Sequence, residues 1–149
     1  MKIKLDYGAI LPSRAHDTDA GLDLYTPVDV AVPGSKSRVN EGFWTETEIG
    51  CATIDTGVHI EIPKGYVGFI KSKSGLMVKG LTTDGTIDSG YTGSIRVKIF
   101  NHTGNYYYFD KGDKIAQLVL LPIITPELEL VYELEDTERG DGGFGSTGR

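Results

Sequence analysis

Ser94-Ile95-Arg96-Val97-Lys98-Ile99 alternates polar and apolar residues without a break. That period of two gives a strand one apolar and one polar face. Directly before it stands Gly85-Thr86-Ile87-Asp88-Ser89-Gly90-Tyr91-Thr92-Gly93, a glycine-bounded turn. The same alternation recurs outward along the chain. Val28, Val30 and Val32 alternate ahead of Pro33-Gly34, and Ile54, Val58, Ile60 and Ile62 are spaced for a half-buried strand ending at Pro63. Ile115 to Leu121 is nearly continuous apolar sequence, predicting a strand buried on both sides, and Leu128-Glu129-Leu130-Val131-Tyr132 predicts another after a proline break. No segment sustains a helical period; at most one short turn of helix follows Ser74-Gly75, through Leu76 to Lys79. There is no internal repeat. The expected fold is all-β, an antiparallel sandwich or barrel with jelly-roll-like connections.

Bulk properties agree. At 149 residues the chain suits one domain that buries roughly two-thirds of its unfolded surface. Twenty glycines and six prolines predict many tight turns. Cys51 is the only cysteine, so no intrachain disulfide can form. The start, Met1-Lys2-Ile3-Lys4-Leu5-Asp6, is too charged for a signal peptide, and no apolar run reaches the ~20 residues that cross a bilayer. A soluble cytoplasmic protein is expected, with no membrane partner. The net charge of −6 and the lack of a basic stripe argue against a nucleic-acid partner. A polyanionic small molecule would need local Lys or Arg and Mg²⁺.

Three segments carry candidate chemistry. In the turn 85–93, Asp88 and Tyr91 stand three residues apart: a carboxylate can take a proton from water, and a ring can pack on a sugar. Turn-forming preference alone also explains Asp, Ser and Gly there, as in an ordinary hairpin. Lys71-Ser72-Lys73-Ser74-Gly75-Leu76 resembles a phosphate nest at a helix start, though a solvated lysine-serine loop reads the same way. Arg139-Gly140-Asp141-Gly142-Gly143-Phe144-Gly145-Ser146-Thr147-Gly148 cannot bury itself and reads as a mobile arm or a terminal linker. Its glycines have the G-x-x-x-x-G spacing, but Ser146 replaces the lysine and no strand precedes it, which excludes a Walker A site. Arg139, Ser146 and Thr147 suit a terminal phosphate, and Phe144 a base. His16, His59 and His102 lack zinc-ligand spacing. Asn101-His102-Thr103 matches a glycosylation sequon, which carries no meaning without secretion.

Taken in order, Ala20–Leu24, Lys73–Leu76, Gly85–Gly93, Gly112–Leu118 and Arg139–Gly148 resemble the five motifs of the trimeric dUTPase family and span nearly the whole chain. The resemblance implies a dUTPase-like β jelly-roll, or β-clip, over residues 1–137 and a mobile C-terminal arm over 138–149. It implies a homotrimer with interfacial active sites and Mg²⁺-dependent hydrolysis of dUTP to dUMP and pyrophosphate, which limits uracil in DNA and supplies dUMP for dTMP synthesis. By that resemblance Asp88 activates the water attacking the α-phosphorus. Tyr91 packs on the deoxyribose, where a ribose 2′-OH would clash. Backbone groups at Gly85, Thr86 and Ile87, with Arg96, read the uracil edge. Ser74, Gly75 and Gln117 hold the phosphates, and Asp23 binds Mg²⁺ through water. Arg139, Gly145, Ser146 and Thr147 close over the γ-phosphate with Phe144 on the base, as a lid from a neighbouring subunit.

The chain departs from that pattern in three places. Lys73 stands where most members have Arg, a point charge in place of a bidentate fork. Thr82 stands where some members place Asn near the base. Residues 35–52, a polar excursion with the only tryptophan, exceed the family's usual turn; they read as an inert loop or, as the alternative, a surface for an unidentified protein partner. Two rival functions follow. The dCTP deaminases share the fold but carry a glutamate two residues before an aromatic-Asn pair; here that residue is Lys98, ahead of Phe100-Asn101, and a lysine cannot shuttle protons as that carboxylate does. A dUTPase-like binding protein, gated by nucleotide and contacting a regulator, rests on residues 35–52 alone.

Overall fold

The alternation around the turn becomes burial. Ile95, Val97 and Ile99 are buried while Arg96 and Lys98 face solvent. A computed structural model describes residues 1–39 and 45–142. In chain order the strands are β1 (Ile3–Leu5), β2 (Gly21–Tyr25), β3 (Val30–Val32), β4 (Lys36–Val39), β5 (Thr45–Glu48), β6 (Gly50–Asp55), β7 (Val58–Ile60) and β8 (Tyr66–Lys71). After the short α1 (Ser74–Met77) come β9 (Leu81–Thr82), β10 (Asp84–Ile87), β11 (Arg96–Asn101), β12 (Tyr107–Phe109) and β13 (Lys114–Pro122). The single helical turn lies where the sequence allows one.

Every ladder is antiparallel. One sheet runs β10-β8-β13-β2 and a second runs β6-β11-β9, with the two-stranded pairs β1-β7, β12-β3 and β4-β5 beside them. Leu24, Ile70 and Leu118 from the first sheet and Ile54, Val97 and Ile99 from the second share one apolar core. Asn101 is fully buried, yet its amide is spent: Nδ2 donates to the carbonyls of Val32 and Asn105, and Oδ1 accepts from the backbone N–H and hydroxyl of Thr103. The sequon is thus a structural clamp for the turn after β11.

Four sequence expectations need correction. Residues 85–93 do not close a hairpin: β10 pairs with β8, β11 pairs with β6 and β9, and the turn carries the chain from one sheet to the other. The predicted strand at 128–132 is absent. Leu128, Leu130 and Tyr132 lie fully exposed outside regular structure, and no described strand pairs with that apolar row. In β13 only Ile115, Ala116 and Leu118 are buried; Leu121 emerges where the strand outruns the core. The excursion 35–52 contains the β4–β5 pair and the start of β6, while its tip, 40–44, lies outside the described residues.

Candidate active site

Asp23, on β2, faces Gln117 of β13, which faces Lys71 of β8: three strands set these residues in one row. Gly21 leaves room for the glutamine, because a Cβ there would stand 2.7 Å from its Oε1. Gln117 Nε2 donates to the Ser72 carbonyl at 3.3 Å, and Ser72 Oγ exchanges 2.8 Å hydrogen bonds with the carbonyl and N–H of Thr83. Those contacts fix the loop after β8, which delivers Lys73 and the start of α1. The first N–H groups of any helix have no intrahelical acceptor, so those of Ser74 and Gly75 are free to meet an anion.

Asp23 is buried and forms ion pairs with Lys73 and, at 2.7 Å, with Lys114. Burial pushes its carboxyl upward, but hydrogen bonds from Lys114 and Lys73 outweigh that and hold it below the usual carboxylate range. The Asp23 hydrogen bond in turn raises Lys114. Beside this pair opens a cleft of about 450 Å³ lined by Lys73, Ser74, Gly75, Lys79 and Lys114 among others. Three lysines there outnumber the nearby carboxylates of Asp113 and Asp23 and leave the cleft locally positive in an acidic chain. Lys114 and Lys79 were not singled out by sequence. Lys114 lies three positions from Gln117, which an unbroken strand places on opposite faces; a register shift between Lys114 and Ala116 restores them to one face.

A second cleft, about 180 Å³, is lined by Thr86, Ile87, Asp88, Tyr91 and Arg96. Tyr91 N–H donates to the Asp88 carbonyl at 3.0 Å, and its hydroxyl donates to the Ser94 carbonyl at 2.9 Å. The ring therefore folds back over Gly93, where a Cβ would stand 2.5 Å from the phenol oxygen. Asp55, opposite Arg96 in β6, accepts from Ser94 Oγ and from Gly57 N–H and lies 3.5 Å from Arg96 Nε. The Ser94 hydrogen bond is the main cause of its lowered pKa, burial opposing it. The Asp88 carboxylate, exposed in this cleft, makes no hydrogen bond or ion pair among the described residues. Gly85, Thr86 and Ile87 belong to β10, the end strand of its sheet, so its outer backbone edge is unpaired among the described residues.

The predicted residues thus form two groups: Asp23, Lys73, Ser74, Gly75 and Gln117 around the first cleft, and Gly85, Thr86, Ile87, Asp88, Tyr91 and Arg96 around the second. Thr82 joins neither; its hydroxyl lies 2.7 Å from His102 Nε2 on the second sheet. Lys98 lies on the exposed face of β11, 5.1 Å from the Phe100 ring centroid. Arg139 is exposed, its Nε donating to the Gly142 carbonyl at 3.0 Å. Phe144, Gly145, Ser146 and Thr147 lie outside the described residues.

The dUTPase family model matches residues 8–148. A deoxyuridine 5'-triphosphate nucleotidohydrolase from Gloeothece citriformis is 41% identical over 149 residues, covering 97% of this chain and 93% of that one. The dUTPase of Staphylococcus bacteriophage 80alpha, solved with dUPNHPP, superposes with a TM-score of 0.82 at 34% identity, covering 99% of this chain and 98% of that one. A mutant dUTPase from phage phi11 of S. aureus, described with a structural Mg(II) ion, superposes with a TM-score of 0.74 at 31% identity over 91% of this chain and 98% of that one.

Proposed function

The chain belongs to the dUTPase family, and from that membership we infer that it hydrolyses dUTP to dUMP with release of pyrophosphate. The observation that carries the assignment of roles is the second cleft, where Asp88 and Tyr91 stand on one turn beside the free edge of β10. Asp88 is the general base: its unengaged carboxylate accepts a proton from the water that attacks the α-phosphorus. Tyr91 packs on the deoxyribose and excludes a 2′-OH. The outer N–H and C=O groups of Gly85, Thr86 and Ile87, with Arg96 beside them, read the uracil edge as a strand would read its neighbour.

Lys73, Ser74, Gly75 and Gln117 hold the phosphates, and Gln117 also keeps the loop after β8 in place through the Ser72 carbonyl. Lys73 lies against Asp23, a movable ammonium that can swing to a phosphate. Among the described residues no three His, Cys, Asp or Glu side chains converge as a metal cage. A lone carboxylate beside a phosphate cleft nevertheless fits Mg²⁺, which keeps several waters and takes one or two carboxylates plus substrate oxygens. Asp23 would hold it through water, and the bound ion would offset triphosphate charge.

The active protein is a homotrimer in this reading. Two features support it: one chain's site residues fall into two separate clefts, and Leu128, Leu130, Tyr132 and Leu134 leave an apolar row in the open that a second subunit can cover. Residues 1–137 form the β domain and 138–149 the arm. Arg139, Phe144, Gly145, Ser146 and Thr147 act as its closing set. The β4–β5 pair joins no other strand among the described residues, which leaves it available to a protein partner without bearing on hydrolysis.

Pyrophosphate release with Mg²⁺ from dUTP, UTP, dTTP and dCTP tests the reading directly. Rapid release from dUTP alone is expected; equal rates on UTP or dCTP would contradict the assigned sugar and base contacts. A finer check is Gly93→Ala, whose methyl must push the Tyr91 ring aside. The ratio of kcat/KM for dUTP over UTP should drop by about tenfold, the scale on which steric rejection of one small group operates. An unchanged ratio would remove Tyr91 from sugar selection.

A further inference from the structure

The turn that carries Asp88 and Tyr91 has an anchor on its far side. His59, in β7, directs its ring between two oxygens: Nδ1 lies 2.8 Å from the Thr92 carbonyl oxygen and Nε2 lies 3.0 Å from Asp6 Oδ2. A backbone carbonyl and a carboxylate only accept. A neutral imidazole has one N–H, so it can satisfy one contact and must aim a lone pair at the other oxygen. Imidazolium donates to both. The His59 side chain is 19% exposed and that of Asp6 50%, so the ring is the more enclosed partner of the pair. Asp6 is itself fixed at the end of β1, its N–H donating to the Gly57 carbonyl at 2.8 Å.

We propose that His59 is a positioning residue for dUTP hydrolysis: as imidazolium it ties the Thr92 carbonyl, and with it the Asp88–Gly93 turn, to Asp6. The turn needs such a tie because the strands it joins do not pair with each other. Beyond Gly93 it is held by Asp55 through Ser94 and Arg96; between Asp88 and Gly93, among the described residues, His59 supplies the side-chain hydrogen bond to the rest of the fold. The inference rests on the reading of this turn as the reacting one.

The surrounding charges set the pH range of the tie. Asp6 and the Thr92 carbonyl raise the imidazole above its ordinary value, while burial and Lys4 oppose them. Lys4 lies 3.4 Å from Asp6, Lys2 pairs with Glu61 at 2.9 Å beside the same strand, and Asp55, balanced by Arg96, adds a more distant negative charge. A raised folded pKa contributes stability that is full below the unfolded value, ~6.5, and is lost as pH rises through the folded value. Asp6 is lowered, chiefly by its hydrogen bond from His59, so its contribution is lost at the other end, as pH falls through its folded value. The tie operates between those limits.

The test is the pH dependence of kcat and KM for dUTP in the full-length protein, with the His59 ring followed by NMR. In the unmodified chain kcat should fall as the His59 resonances titrate, with KM changing less. Asp6→Asn keeps an acceptor oxygen but removes the charge, and should move both titrations together to lower pH. His59→Phe should erase that inflection and lower kcat on its acid side by about tenfold, a modest misplacement effect. If His59→Phe does not fold, the Asp6→Asn comparison still decides. Superimposed kcat profiles for the unmodified and Asp6→Asn proteins, with Asp88→Asn inactive, would overturn the tie alone. An active Asp88→Asn protein would overturn the site assignment beneath it.

Discussion

Asp88→Asn should bind dUTP and leave it intact, with kcat lower by about 10²–10⁴-fold, the range for loss of a general base. That corresponds to about 3–5 kcal/mol of transition-state stabilisation. The substitution separates chemistry from folding unusually well. Asp88 is exposed, its carboxylate holds no partner among the described residues, and the only bond it makes to the turn is through its main-chain carbonyl to Tyr91 N–H. Asparagine preserves that carbonyl, the side-chain shape and the tolerance for turn geometry. Stability should therefore change by no more than about 0.5 kcal/mol. The measurements are single-turnover hydrolysis and calorimetric titration with a non-hydrolysable dUTP analogue. Turnover within tenfold of the unmodified chain would remove Asp88 from its role.

Ending the chain at Glu138 should lower kcat/KM by about 10²-fold, as expected when a closing segment that orders the reactants is lost. The fold should survive, because the buried core lies between Leu24 and Leu118. Mass by light scattering and the thermal midpoint should match those of the full chain; unchanged turnover would reduce 139–149 to a linker. A mixing experiment then asks which subunit supplies the arm. The truncated protein retains Asp88 but lacks residues 139–149, and Asp88→Asn retains those residues but lacks the carboxylate. Co-refolding the two should restore part of the activity if an arm closes over its neighbour's site. No recovery would place the arm over its own subunit's turn.

Much was legible from residue order. Period-two alternation at 95–99 fixed one buried and one exposed face, since side chains of a strand must alternate, and glycine density announced an all-β chain. The limits of alternation are equally physical. Leu128, Leu130 and Tyr132 carry a strand's pattern, yet a strand needs a ladder partner and no described strand lies beside them. The turn 85–93 has hairpin composition, but turn chemistry is local and cannot say which strands its two ends will pair with.

Sequence by itself therefore determined the all-β fold class and the family, and it singled out Asp88, Tyr91, Lys73 and Gln117 as candidates, because motif order and residue chemistry are one-dimensional facts. Tertiary structure alone decided that Lys114 shares a face with Gln117 and reaches Asp23, because a one-residue shift in β13 reverses strand parity and leaves no mark in composition. It alone decided that His59 meets Thr92 and Asp6, residues 33 and 53 positions away, because hydrogen bonds form between atoms close in space and sequence records only distance along the chain.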